Sequence, residues 1–376
     1  MEQMIPFNKP YITGKEAHYL YKAVESGHLS GNGPYTKKCQ TFFEERWGFK
    51  KTLLTTSCTD ALEMCAMLIN IQPGDEVIVP SYTFVSSALA FVRQGAHIVF
   101  ADSRPDHPGI DESKLEALIT SKTKAIVPVH YAGVACDMDI IMDIADRHNL
   151  FVIEDAAQAI DSYYKDKPLG SIGHLGTFSF HETKNIQCGE GGLLAINDKR
   201  FIKRAEILWE KGTNRAEFFR GEINKYGWVD TGSSFLTSEL NASFLYAQLE
   251  ELDTIQNRRN EIWQTYNNGL EKWADNNNVI LPTVPSYATN NGHMFYLVCP
   301  TPLFRNELIK YLKNRGIHAV FHYLSLHKSD FILKQDSSIE ELSHSDRYSE
   351  CLVRLPFFFE LGTQELIVET INELNQ

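Results

Sequence analysis

The sequence predicts an α/β fold: a large domain with a mainly parallel sheet between helices, then a smaller α+β domain. Three observations lead there. Between residues 76 and 155, short continuous apolar runs alternate with helix-period segments. Such runs mark strands buried on both faces, because βαβ crossovers cover a parallel sheet with helices. The chain has 376 residues, 43% of them hydrophobic, enough for two domains of roughly 100–200 residues. Beyond residue 241 the pattern changes to a long amphipathic segment, then to mixed strands and helices.

In chain order, an N-terminal arm leads to a helix over 16–26 that stops near Gly27. Ser30-Gly31-Asn32-Gly33-Pro34 reads as a turn, or as backbone approaching a ligand or partner subunit. Ser57, Cys58 and Thr59 precede a periodic run over 61–69 that Pro73-Gly74 ends. Small hydroxyl residues ahead of such a run start a helix. They serve either to cap free N–H groups or to bind a phosphate there, and the residues alone leave both uses open. Strands follow at 76–80, 98–102, 125–130 and 151–155, with helices at 86–93, 115–118 and 138–147. The alternating run Gly176-Thr177-Phe178-Ser179-Phe180 extends the sheet, and Gly189 to Gly192 turn it into another strand. A long charged-face helix is expected from 246 through 263, then a strand at 294–298, a helix at 305–314, a strand at 319–323 and a tail helix at 364–374. The domain boundary is expected near 245, giving a large domain 1–245 with the arm, and a small domain 246–376.

Composition narrows the function. A formal net charge of -12 leaves no basic stripe for nucleic acid. The seven cysteines are scattered without a C-x-x-C pair, which argues for reduced buried thiols and against a zinc site or disulfide framework. Met1 to Phe7 lack the basic and apolar regions of a signal peptide, and no apolar run is long enough to cross a bilayer. A cytoplasmic protein, with no membrane and no nucleic-acid partner, is the expectation. The glycines of Gly170-Ser171-Ile172-Gly173 are not spaced as a dinucleotide fingerprint and follow a polar stretch, not a strand.

In open parallel sheets, ligands gather beyond the carboxyl ends of the strands. Phe84, His130-Tyr131, Asp155, Gln158 and the loop carrying Lys184 all fall there. A lysine at a polar turn is ordinarily a solvated charge. Here it keeps company that changes its meaning. A lysine can form a Schiff base with an aldehyde, and a carboxylate such as Asp155 can pair with a pyridinium nitrogen. Gln158 can hydrogen-bond a phenolic oxygen, Phe84 can stack on a ring, and the helix start at Ser57 can hold a phosphate. These are the parts that pyridoxal 5′-phosphate needs.

Ser57-Cys58-Thr59-Asp60-Ala61-Leu62, Pro80-Ser81-Tyr82-Thr83-Phe84, Glu154-Asp155-Ala156-Ala157-Gln158 and Phe180-His181-Glu182-Thr183-Lys184-Asn185 together resemble the DegT/DnrJ-type sugar-nucleotide aminotransferases, which are fold-type I pyridoxal-phosphate enzymes. The resemblance runs from Ile5-Pro6-Phe7 to the C-terminal helix. It implies that Lys184 carries the cofactor, with Asp155 at the pyridine nitrogen, Gln158 at the phenolate and Phe84 on the ring. Ser57, Cys58, Thr59 and Ser179 would surround the phosphate. A homodimer with shared active sites is implied too. Many members have Gly-Tyr-Asn-Tyr-Arg-Met where this chain has Gly232-Ser233-Ser234-Phe235-Leu236-Thr237. Ser234 therefore replaces the asparagine that reaches the phosphate of the neighbouring subunit's cofactor.

Within the family, Val129 to Cys136, Lys211 to Arg215, Phe218 to Gly221 and Ala319 to Tyr323 are most similar to members that aminate C4 of a dTDP-linked 4-keto sugar. That implies L-glutamate as donor and dTDP-4-keto-6-deoxy-D-glucose as acceptor. The product would be dTDP-4-amino-4,6-dideoxy-D-galactose, for cell-surface polysaccharide. The gluco epimer and a 3-keto substrate are the alternatives. Arg215, Arg220 and Lys211 are candidates for the pyrophosphate or are solvated charges. His322 and Tyr323 contact the sugar or simply pack. Related dehydratases carry histidine in place of the lysine, and a non-catalytic sensor would have lost Lys184 or Asp155; both are present.

Overall fold

A computed structural model of the chain describes residues 4–335 and 341–375. After α1 (Glu16–Glu25) and α2 (Pro34–Trp47), strand β1 (Lys51–Thr55) leads through a short turn into α3 (Cys58–Leu68). Then β2 (Glu76–Pro80), α4 (Ser86–Val92), β3 (His97–Ala101), β4 (Thr123–Ile126), α5 (Met138–His148) and β5 (Phe151–Asp155) follow as the apolar runs predict. A two-stranded hairpin, β6 (Tyr163–Tyr164) with β7 (Lys167–Pro168), precedes β8 (Leu175–Ser179) and β9 (Gly192–Ile196).

Seven strands form one sheet in the order β1-β9-β8-β5-β4-β2-β3. Only β9 runs against its neighbours, pairing antiparallel with both β1 and β8; the pairs from β8 across to β3 are parallel. Six strands therefore point their carboxyl ends to one edge. Apolar residues of α2, α5 and α8 (Glu239–Leu249) pack one face, and those of α3, α4 and α6 (Ile202–Trp209) the other. Covering both faces is what lets strands such as β9 bury all five residues. Between α6 and α8 lies the short α7 (Arg215–Phe219).

The long helix expected through residue 263 is two helices, α8 and α9 (Leu252–Asn277), broken at Glu250-Glu251. Ala242, Leu245 and Leu249 face the large core, as do Leu252 and Ile255, whereas Ile262, Tyr266 and Leu270 face a second core. That second core joins α9 to β10 (Tyr296–Val298), α10 (Pro302–Asn314) and α13 (Gln364–Asn372). Around it lie β11 (Val320–Phe321), α11 (Asp330–Leu333), α12 (Ser343–Cys351) and β12 (Leu352–Arg354). Strands β10, β12 and β11 form a small antiparallel sheet. We place the domain division inside α9, some residues past the expected 245. The N-terminal arm sits with the small domain: Ile5 bridges Ile317, and Phe357 N–H donates to the Phe7 carbonyl at 3.1 Å.

Candidate active site

At the common carboxyl edge of the sheet the two domains enclose a cavity of about 470 Å³. Its floor belongs to the large domain, with Ser57, Cys58, Thr59, Phe84, Asp155, Gln158, Ser179 and Lys184 among its lining. Its roof is built by His322, Tyr323 and Arg354 of the small domain. A larger hollow of about 940 Å³ beside β3 shares none of these residues.

Each floor residue is placed by a local device. Asp155 ends β5 and is buried. One carboxylate oxygen accepts from Ser87 Oγ at 2.7 Å and the other from Ala157 N–H at 3.1 Å. Glu154, its neighbour, points to the opposite side of the strand. It accepts from the N–H groups of Gly170, Ile172 and Gly173 at 2.8, 2.7 and 2.6 Å, and lies 3.0 Å from His130 Nε2. Because His130 Nδ1 accepts from Cys136 N–H at 3.3 Å, the ring proton sits on Nε2 and faces Glu154. This network ties the glycine-rich stretch under the end of β5. That stretch is therefore a structural loop, and its glycines hold no nucleotide.

The Lys184 loop leaves β8 and returns into β9. Phe180 N–H donates to Gly191 O at 2.8 Å and Cys188 N–H to Phe180 O at 2.9 Å, closing its neck. Asn185 anchors it from behind, donating to Gln256 Oε1 at 2.8 Å and to the Asn291 carbonyl at 2.9 Å, with His293 Nδ1 2.7 Å from its Oδ1. Lys184 itself lines the cavity, half-buried. Loss of water around its amine lowers its pKa to about 8; Cys58 and Asp155 oppose that shift, and the charge of Arg354 adds to it.

Helix α3 starts at the same edge. Ser57 is its N-cap, accepting from Asp60 N–H at 3.1 Å while donating to the Asp60 carboxylate at 2.9 Å. Its hydroxyl is thus committed to capping. The open donors are the first-turn N–H groups of Cys58 and Thr59, which have no helical carbonyl four residues back, and the paired hydroxyls of Thr59 and Ser86, 2.8 Å apart. Gly192 brings β9 against this turn. A Cβ there would lie 2.2 Å from the Ser57 carbonyl carbon and 2.4 Å from Cys58 N, so only glycine fits. The side chain of Phe84 is 55% exposed within the cavity mouth, its ring centroid 5.9 Å from that of Tyr323.

Gln158 accepts from Ala132 N–H at 2.6 Å and donates to Tyr323 OH at 3.2 Å, so it links floor to roof. Tyr323 holds a left-handed backbone at φ 56°, strained for a bulky residue. His322 lies 2.7 Å through Nδ1 from Tyr131 OH, and its carbonyl accepts from Tyr82 OH. Burial pushes the His322 pKa well below the usual range, so the ring is neutral.

Arg215, Arg220 and Ser234 are elsewhere. Arg220 pairs with Glu222 at 2.7 Å and Glu206 at 2.8 Å, and Arg215 stands over the Phe219 ring. Ser234 is exposed, bridged to Glu210 through its backbone. Within one chain none of the three lines the cavity. Sequence reasoning missed Ser86, Ser87 and Arg354. Arg354 stands alone among apolar neighbours, Leu352-Val353-Arg354-Leu355-Pro356, and a lone charge in such a run was the available signal. Of the unassigned His181, Glu182 and Thr183, the first and last line the cavity. Among the described residues no cluster of His, Cys, Asp or Glu could hold a metal ion, and no helix is long and apolar enough to cross a membrane. All seven cysteines are buried and unpaired.

Comparison with known proteins gives one family model, the DegT/DnrJ/EryC1/StrS aminotransferase family, matching residues 10–372. The chain is 32% identical over 380 residues to the spore coat polysaccharide biosynthesis protein SpsC of Bacillus subtilis, covering 98% of this chain and 97% of that one. Its structure is similar to that of DesV from S. venezuelae, with a TM-score of 0.89 and 28% identity over 99% of this chain and 98% of that one. It is also similar to Spr1654 from Streptococcus pneumoniae, assigned as a sugar aminotransferase and solved in its PLP-form, with a TM-score of 0.88 and 26% identity over 98% of each chain. The donor set of the cavity fits pyridoxal phosphate. It has an amine of lowered pKa, a buried carboxylate opposite, free N–H groups with hydroxyls at a helix start, and an exposed aromatic face.

Proposed function

The chain belongs to the DegT/DnrJ/EryC1/StrS family of pyridoxal-phosphate-dependent sugar aminotransferases, and we propose that it moves the amino group of L-glutamate to C4 of dTDP-4-keto-6-deoxy-D-glucose. The products are 2-oxoglutarate and dTDP-4-amino-4,6-dideoxy-D-galactose. The observation that carries the chemistry is the meeting of Lys184 and Asp155 in one cavity with the start of α3. The choice of sugar rests on the similarity of Val129 to Cys136 and Ala319 to Tyr323 to C4-aminating members. A role in cell-surface polysaccharide synthesis accords with the name of SpsC.

Bound in the cavity, pyridoxal phosphate supplies an aldehyde that accepts the amino group and a ring that takes up the electron pair of the broken C–H bond. Lys184 holds the cofactor between turnovers. With the cofactor bound, the neutral Nζ of Lys184 would take the proton from the donor α-carbon and, in the second half-reaction, would deliver a proton to sugar C4. A pKa near 8 leaves a useful neutral fraction near pH 7. Asp155, fixed by Ser87 and Ala157, would keep a proton on the ring nitrogen. Cys58 and Thr59 N–H groups, with the Thr59, Ser86 and Ser179 hydroxyls, would hold the phosphate. Phe84 would cover one ring face and Gln158 would meet the phenolic oxygen. His322 and Tyr323 shape the sugar pocket from above.

Arg215, Arg220 and Ser234 serve a second subunit in this reading. They share an exposed segment with Phe219 and Trp228, the latter 82% exposed, an apolar surface of the kind that marks an interface. A cytoplasmic homodimer would seat that segment at the partner's cavity, where the two arginines meet the pyrophosphate.

Incubation with L-glutamate and dTDP-4-keto-6-deoxyglucose, followed by NMR of the product, tests this directly. An axial amine on C4 is expected. An equatorial amine would replace the galacto product with the gluco epimer, and amination only of a 3-keto sugar nucleotide would overturn the substrate assignment.

A further inference from the structure

Arg354 is the one charged group of the roof, and nothing among the described residues answers its charge. It ends β12 with its side chain in the cavity. Nε is buried without a hydrogen-bond partner, and among the described residues the guanidinium makes no ion pair. The Phe7 ring lies 4.7 Å from it. The groups near enough to couple to it include the phenols of Tyr82, Tyr131 and Tyr323 and a second buried cation, Arg259; none of these is an anion. Asp155, the buried carboxylate of the floor, is already engaged by Ser87 and Ala157. A half-buried guanidinium with a sealed Nε and no anion is costly, and its fork of donors matches a carboxylate or phosphate. The site therefore lacks an anion that a ligand brings.

Three anions enter such a cavity. The cofactor's phosphate goes to the start of α3, in the floor. The pyrophosphate of a nucleotide sugar is separated from the reacting carbon by the sugar ring. The carboxylate of an amino-acid donor is one bond from its reacting carbon, which is where Lys184 acts. Arg354 is near enough to Lys184 for its charge to lower that amine's pKa. The geometry points to Arg354 as the residue that binds the donor's α-carboxylate, which places a specificity determinant for the amino donor on the small domain. This rests on the proposed use of an amino-acid donor such as L-glutamate.

The test uses the pyridoxal-phosphate-loaded protein with glutarate, a dicarboxylate that has no amine and so binds without reacting. Calorimetric titration of R354M is expected to show glutarate affinity about 100-fold weaker than in the wild type, as when one partner of a buried charged pair is removed. R354K is expected to recover part of the loss, since it keeps charge but not the fork. In turnover, KM for L-glutamate should rise by a similar factor while KM for the nucleotide sugar stays within about twofold. Unchanged glutarate binding in both variants would overturn the assignment. So would loss of nucleotide-sugar binding with donor binding intact, which would give Arg354 to the pyrophosphate. If R354M fails to fold, R354K decides alone, because its donor affinity must still fall. Glutarate binding that depends on Arg354, in a protein that aminates no 4-keto sugar nucleotide, would sink the substrate proposed above and leave this site standing.

Discussion

The floor and roof of the cavity differ in how their polar groups are held. On the floor, Asp155 has two protein donors and Glu154 beneath it has three backbone N–H groups plus His130. On the roof, Tyr323 is held at a positive φ, and Arg354 keeps a buried Nε with no partner. A satisfied network fixes geometry before any ligand arrives; an unsatisfied group stores a cost that a ligand of the right charge removes. The floor is thus suited to a resident cofactor and the roof to substrates that come and go.

The largest break in this contrast should come from the floor. K184A removes the base and the attachment point together. Turnover should fall by about 10,000-fold, the upper end for a lost acid–base group, and borohydride should no longer fix the cofactor to the chain. A loss under tenfold would transfer the proton-moving role to another group. D155N should cost roughly 100- to 1,000-fold in kcat, as for loss of a preorganised charge at a reacting site, with cofactor still bound by its visible band.

The two walls can also be tested through one titration. Lys184 must be neutral to attack the cofactor aldehyde, and its pKa is lowered to about 8. Capture of pyridoxal phosphate by the cofactor-free protein should therefore speed up about tenfold per pH unit below about 8 and level off above it, following the neutral fraction. Because the Arg354 charge helps lower that pKa, R354M should move the break to higher pH; an unmoved break would separate the two walls electrostatically. The smallest effect is expected from S87A. It deletes one hydrogen bond to Asp155 while Ala157 N–H still holds the other oxygen. That is about 1 kcal/mol, or about fivefold in kcat, and a loss as large as that of D155N would show that Ser87, not the end of β5, sets the carboxylate's position.

How much of this was legible in the sequence depended on range. Strands β2 to β5 and the helices between them follow from local runs of apolar residues. Lys184, Asp155 and Gln158 could be singled out because strand ends collect ligands in such sheets, and all three line one cavity. Ser57 was read correctly as a helix start, yet its hydroxyl went to the cap because Asp60 lies one turn away. Arg215 and Arg220 were read as pyrophosphate candidates or solvated charges, and within one chain Glu206, Glu210 and Glu222 lie near enough to pair with them. The split between α8 and α9 was not visible, because the apolar residues on either side of it, Leu249 and Leu252, face the same core and the run of helix-forming residues continues across it.

Apolar periodicity and turn residues, which act over a few positions, determined the sheet, its helices and the placing of a lysine and a carboxylate at its working edge. What only the tertiary structure decided was which distant groups meet there. Ser87 reaches Asp155 across 68 positions, and Tyr323 reaches Gln158 across 165. Arg354 comes to face the cavity because β12 pairs between β10 and β11. Local pattern sets which face of an element is buried, but burial without a partner is a property of everything packed around a group. That is why the sequence pointed to Lys184 but offered for Arg354 only a lone charge in an apolar run, with no sign of what it would face.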